Sequence, residues 1–193
     1  ALSMKGTFPR GERLYQFANV VVSPDGRRIV FAAVDTLGER ALWVRRFDAR
    51  VSTRIPGTEG ANNPFWSPDS KKIAFIDKTM RIKVYDLTTN QTTDVDKGLR
   101  MMHGGLEGWT CSWSPDSRWL AYASNESGQN EIFVRPFPNT GDSRWQVSTG
   151  GGFMPRWAPD GKALYFIEPG SGQLMVVSVT TNPTFAAGQT RTL

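Results

Sequence analysis

Four aspartates recur in one setting: Asp25, Asp69, Asp116 and Asp160, each following a proline, in VSPDG, WSPDS, WSPDS and WAPDG. A carboxylate beside a serine can act as an acid or base, or can ligate a cation, so the recurrence raises the question of catalysis. Other groups with chemical reach are scarce. His103 is the single histidine and Cys111 the single cysteine, eight residues apart. A nucleophilic triad needs a base held beside its nucleophile, and no GxSxG elbow occurs in the chain. A zinc site needs three or four ligands, which one histidine and one cysteine cannot supply as a His/Cys set. No EF-hand-like loop is present either. The sequence therefore predicts no catalytic residue, no metal and no cofactor.

The spacing of the four aspartates says what must position them. Their intervals are 44, 47 and 44 residues, and a period in the mid-forties is that of propeller blades, each a four-stranded antiparallel sheet. An alternating apolar run follows every turn: RRIVFAA, KKIAFID, RWLAYAS and KALYFIE. A polar link and a second β-rich run come next, ALWVRRF, RIKVYDL, EIFVRPF and LMVVSVT, and then a short polar strand. The first strand of each unit precedes its turn. Four strands four times over predict an all-β propeller of four blades, over residues 17–60, 61–105, 106–151 and 152–193. Residues 1–16 fall outside the pattern, and RLYQ within them is read as an added edge strand that could close the ring.

Within this frame the Pro-Asp motif reads as a turn. Proline pre-sets φ and aspartate can accept a backbone N–H two residues on. Asp25, Asp69, Asp116 and Asp160 are thus expected to be structural, one per blade. Trp66, Trp113 and Trp157 share one slot, held by Val22 in the first unit, and should pack between blades. Trp109, Trp119 and Trp145 do not recur in every unit and are better candidates for surface use than the recurring three, with packing as the alternative. The Gly-rich links GTEGANN, HGGLEGW and STGGGFM join one blade to the next, at the ends opposite the Pro-Asp turns. Loops carry function when a rigid scaffold presents them. Their contact candidates are Glu59, Asn62, Asn63, His103, Glu107, Trp109 and Phe153. No helix or Lys-Ser/Thr follows these glycines, which argues against a phosphate cradle.

Bulk properties agree with a binding module. The chain has 193 residues, 39% apolar and 21% charged, with a net charge of +5 and a sequence pI near 9.6. Its basic residues are scattered, so no nucleic-acid footprint is expected. No apolar stretch reaches the ~20 residues of a membrane span. The chain begins at Ala1 without an apolar leader, as a mature form or a piece of a longer protein would.

The motifs SPDGRRIVFAA, PFWSPDSKKIAF and WSPDSRWLAYASNESGQNEIFVRPFP resemble the Pro-Asp, WD-like repeats of TolB-type propellers. Similar repeats occur in extracytoplasmic regions of bacterial Ser/Thr kinases and in the propellers of prolyl-oligopeptidase-like peptidases. The resemblance covers residues 17–193. It implies a non-enzymatic scaffold that binds a protein, peptide or glycan through interblade loops and the channel mouth, in a periplasmic or extracytoplasmic setting. Alternatives are an accessory propeller of a larger kinase or peptidase, and a glycan-active propeller enzyme drawing on His103, Glu59, Glu107 and Glu126. TolB-like propellers usually have six or more blades. Four blades imply either a small closed ring or an arc that pairs with a second copy as a homodimer.

Overall fold

The computed structural model describes residues 13–14, 20–35, 37–95, 111–125, 127–141 and 143–193. His103, Glu107, Trp109 and Glu126 lie outside the described residues. Every described element is a strand, and the strands form four antiparallel sheets. The chain divides into two compact units at Thr92–Thr93, each holding two sheets.

In the first unit, β1 (Arg13–Leu14) and β2 (Val21–Val22) both pair with β3 (Arg28–Val34), followed by β4 (Arg40–Arg46) and β5 (Thr53–Arg54). The RL of RLYQ is thus a strand of the first sheet, opposite Val34 and Ala33. The second sheet runs β6 (Asn62–Trp66), β7 (Lys72–Ile76), β8 (Ile82–Asp86) and β9 (Gln91–Asp94). The second unit repeats the plan with β10 (Cys111–Trp113), β11 (Trp119–Ser124), β12 (Glu131–Pro136) and β13 (Trp145–Gln146), and then β14 (Phe153–Trp157), β15 (Ala163–Ile167), β16 (Leu174–Thr180) and β17 (Ala186–Thr192). From β2 onward, sequential strands neighbour one another within each sheet, so the links inside the sheets are local hairpins.

The second strand of each sheet is the most apolar, and its two faces divide the labour. Val30 and Ala32 of β3 join Trp66, Ile73 and Phe75 of the second sheet in one buried cluster. Ile29, Phe31 and Ala33 point the other way and pack with Trp43. In the second unit Trp119, Ala121 and Ala123 of β11 meet Trp157, Leu164 and Phe166 of the fourth sheet. The recurring tryptophan slot therefore packs against the sheet that precedes it within both units. Trp66 also donates its Nε1–H to the Val21 carbonyl at 2.9 Å, tying β6 to β2. Trp113 is equally buried and meets Phe137 edge-on at 5.2 Å. Val22, in the same slot of the first sheet, is 52% exposed.

Trp119 and Trp145 take the packing role. Trp119 is buried, and its ring lies 5.6 Å from Trp145 and 5.7 Å from Phe185. Both tryptophans belong to the core between the third and fourth sheets. Trp145 is half-buried and keeps part of its surface in solvent.

Candidate functional site: the loop ends of the sheets

The Pro-Asp turns spend their carboxylates on the backbone. Asp25 Oδ1 accepts the Ser23 hydroxyl and the Arg27 N–H at 3.0 Å, while Ser23 Oγ accepts the Arg28 N–H at 2.9 Å. The same pattern recurs at Ser67–Asp69–Lys71 and at Ser114–Asp116–Arg118. At Asp160 the Lys162 N–H bond remains, at 3.0 Å, but Ala158 stands where the other turns have serine. The residue after each aspartate is left-handed: Gly26, Ser70, Ser117 and Gly161 have φ of 68°, 58°, 60° and 72°. Glycine does this without strain, whereas serine does so at a cost. Ser70 has a compensating bond, since its Oγ accepts the Asp25 N–H at 3.0 Å and links the first two turns.

The Ser23 hydroxyl, helped by the Arg27 amide and the Arg28 guanidinium, holds the Asp25 carboxyl below its ordinary range. For Asp69 partial burial pushes upward, but the Ser67 hydroxyl, the Lys72 ammonium and the Lys71 amide outweigh it. These carboxylates are engaged within their own turns. Among the described residues no three His, Cys, Asp or Glu side chains group as metal ligands would.

Beside the first turn lies an open cleft of about 490 Å³ lined by Asp25, Arg27, Arg28, Arg46, Phe47 and Asp48. Two of its arginines are engaged by near neighbours in sequence. Arg46 forks onto Asp48 at 2.9 and 2.6 Å, and Arg28 reaches Asp25 at 3.5 Å.

The opposite ends of the sheets carry the linking loops. In the first unit Thr58 is buried, accepts the Leu42 N–H at 3.0 Å and donates to the Ile55 carbonyl at 2.6 Å. Arg54 lies between Glu39 at 3.3 Å and Glu59 at 3.2 Å, and Arg40 donates to the Gly60 carbonyl at 2.9 Å. Gly60 has φ of +73°, and a Cβ there would stand 2.8 Å from Lys78 Cβ, so only glycine fits without a shift. Asn62 and Asn63 follow at the start of β6, where the register slips by a bulge and Asn63 takes a φ of 47°.

In the second unit the carboxylate lies at the centre. Glu131, the first residue of β12, is 1% exposed. Its Oε1 accepts the Gln129 side-chain amide at 2.6 Å and the Gly151 N–H at 3.1 Å, and its Oε2 accepts the Ser148 hydroxyl. Ser148 Oγ in turn accepts the Ile132 N–H at 2.8 Å. Above this group opens a cleft of about 360 Å³ lined by Ser127, Gly128, Gln129, Glu131, Gln146 and Thr149. Phe153, half-buried, begins β14, which carries a bulge like that of β6, with Met154 at a φ of 57°.

The structure thus brings Glu59, Asn62 and Asn63 together at one loop end and places Phe153 at the loop end of the other unit. Glu59 is paired with Arg54. Sequence reasoning missed Glu39, Arg54, Gln129, Glu131 and Gln146. The legible signal for Glu131 is a glutamate opening the apolar run EIFV, where the equivalent first-sheet run, ALWV, begins with alanine. A charge at a strand's first inward position has to be met by the adjoining loop.

No family model matches the chain. An uncharacterized protein of Agrobacterium fabrum is 26% identical over 159 residues, which are 76% of this chain and 49% of that protein. The chain therefore spans about half the length of that relative. A solved structure assigned as TolB, from Agrobacterium tumefaciens, superimposes with a TM-score of 0.61 at 18% identity, covering 93% of this chain and 67% of the other. The tricorn protease superimposes with a TM-score of 0.63 at 15% identity, over 90% of this chain and 20% of the protease. This is the TolB-like, tricorn-type β-propeller fold. Its blades are the four sheets described above, two in each unit. At these identities the likeness concerns the fold, and a fold of this kind hosts many functions.

Proposed function

We propose that the chain is a binding scaffold, not a catalyst, and that its blades present their loop ends to a protein, peptide or glycan partner. One observation carries the reading: the turn carboxylates are consumed by backbone amides, whereas the second unit's loop end keeps an open, polar-lined cleft. Rigid sheets hold that cleft and glycine-rich links shape it, which is how loops on a scaffold come to bind. The resemblance to TolB-type repeats supports a periplasmic or extracytoplasmic setting. No helix among the described residues is long and apolar enough to cross a membrane.

A second reading is favoured by the coverage of the relatives. The chain spans 49% of the Agrobacterium fabrum protein and 20% of the tricorn protease, so it also suits a propeller module working beside further domains or a second copy of itself. Peptide and glycan arrays test the binding proposal. Signals of the wild-type protein should fall when Asn62, Phe153 and Gln146 are changed to alanine, and should survive Arg27→Ala at the turn end. Signals lost only with Arg27→Ala would move the binding surface to the turns.

A further inference from the structure

The cleft over Glu131 has a one-sided supply of hydrogen-bonding groups. Gln129 spends its NH2 group on Glu131 Oε1 at 2.6 Å and on the Thr149 carbonyl at 3.3 Å. Gln146 spends its NH2 on the Ser148 carbonyl at 2.8 Å. Neither amide can be turned over, because each oxygen would then face a carboxylate or a carbonyl. The Oε1 of each therefore remains as the spare group, and an amide oxygen can only accept. Thr149 adds a hydroxyl to the same lining. Beneath them lies Glu131, whose hydrogen-bond partners among the described residues are the neutral Gln129, Gly151 and Ser148, with no cation paired to it. A carboxylate buried without a cation leaves its charge uncompensated. Among the described residues, 125, 127–131, 147–153 and 168–173, which form this loop end, include two glutamates and no lysine, arginine or histidine, in a chain whose net charge is +5.

We propose that this cleft is a site for a primary ammonium group, the side chain of a lysine on a protein or peptide partner. An ammonium carries three donors on a compact centre and no acceptor, which matches Gln129 Oε1, Gln146 Oε1 and Thr149 Oγ1. Glu131 supplies the charge from below, where reduced solvent strengthens its pull. Guanidinium is disfavoured, since it gains most from a bidentate carboxylate, and Glu131 is buried with both oxygens already accepting. Neutral sugars gain from the acceptors but nothing from the charge. The inference deepens the binding reading above by naming what the loop end takes.

The test is an amide NMR titration of the whole chain with n-butylammonium chloride and with Nα-acetyl-lysine methylamide, against sodium chloride at equal ionic strength. Saturable shifts should appear at the Gly128 and Gly151 amides and at the side-chain amides of Gln129 and Gln146. Glu131→Gln should weaken both probes by at least about tenfold, equivalent to about 1.4 kcal/mol. If that variant does not fold, Gln146→Leu, at an exposed position, should still weaken them severalfold. Shifts no larger than with sodium chloride would overturn the site, as would equal shifts from a neutral trisaccharide or an affinity unchanged by Gln146→Leu. Blank arrays with a saturating ammonium titration would sink the array-based reading and keep this site; the reverse would sink this site alone.

Discussion

The loop ends of the two units solve one problem in two ways. From Ile55 to Gly60 and from Val147 to Gly152 the links have the same length, and each supplies a buried hydroxyl, Thr58 or Ser148, to the first inward amide of the third strand. The hydroxyl must then donate. Thr58 gives its proton to the Ile55 carbonyl, and the unit's carboxylates, Glu39 and Glu59, pair outside with Arg54. Ser148 gives its proton to Glu131, so a carboxylate is drawn inside, and no arginine among the described residues pairs with it. One local choice of acceptor decides whether a loop end is electrically balanced or holds an uncompensated carboxylate. A shared fold leaves that choice open.

The comparison presumes that both units rest on the same interblade packing. Trp66→Ala and Trp157→Ala should each cost about 3–5 kcal/mol in urea denaturation, the usual range for truncating a buried tryptophan. A cost confined to one unit would break that premise. Next in size are the hydroxyls. Thr58→Val should cost about 1–3 kcal/mol, because the buried Leu42 N–H loses its acceptor. Ser148→Ala should cost more, since it removes a donor to Glu131 as well, and equal losses would erase the distinction between the loops.

Acid should bear on the first unit's turns. The carboxyls of Asp25, Asp69 and Asp77 are held below their ordinary range; for Asp77 the Thr79 hydroxyl and the Arg81 and Thr79 amides outweigh burial. A carboxyl with a lowered folded value stabilises the fold above its unfolded value, and that stability is lost as pH falls through the folded one. Stability should therefore be flat at neutral pH and decline below about pH 4. Asp69→Asn should flatten that decline, and an unchanged acid limb in thermal melts would contradict the turn assignment. The smallest effect belongs to Glu39→Ala, which removes an exposed partner of Arg54 and should cost less than about 1 kcal/mol.

Much of the fold was legible because it repeats. The four Pro-Asp turns, the alternating runs and the shared tryptophan slot each report the same period, and local hairpins need no long-range information. Trp119 and Trp145 were open between two readings, because a residue that departs from a repeat can fill a local void as readily as it can face a partner. Phe185, which completes their cluster, gives no periodic signal. The loop-end candidates were found by position, and Glu59, Asn62, Asn63 and Phe153 do stand there. Glu131 was missed because its importance arises from Gln129, Ser148 and Gly151 converging on it across the fold, a relation that spacing along the chain does not express.

Glu131 is a buried, hydrogen-bonded carboxylate, whereas Glu59 is a surface partner of Arg54. Urea denaturation of Glu131→Ala and Glu59→Ala side by side tests this most directly. Removing Glu131 strands two buried donors, the Ser148 hydroxyl and the Gly151 N–H, and should cost at least about 2 kcal/mol, whereas removing Glu59 should cost less than about 1 kcal/mol. Equal and small losses from the two would contradict the difference between the loop ends.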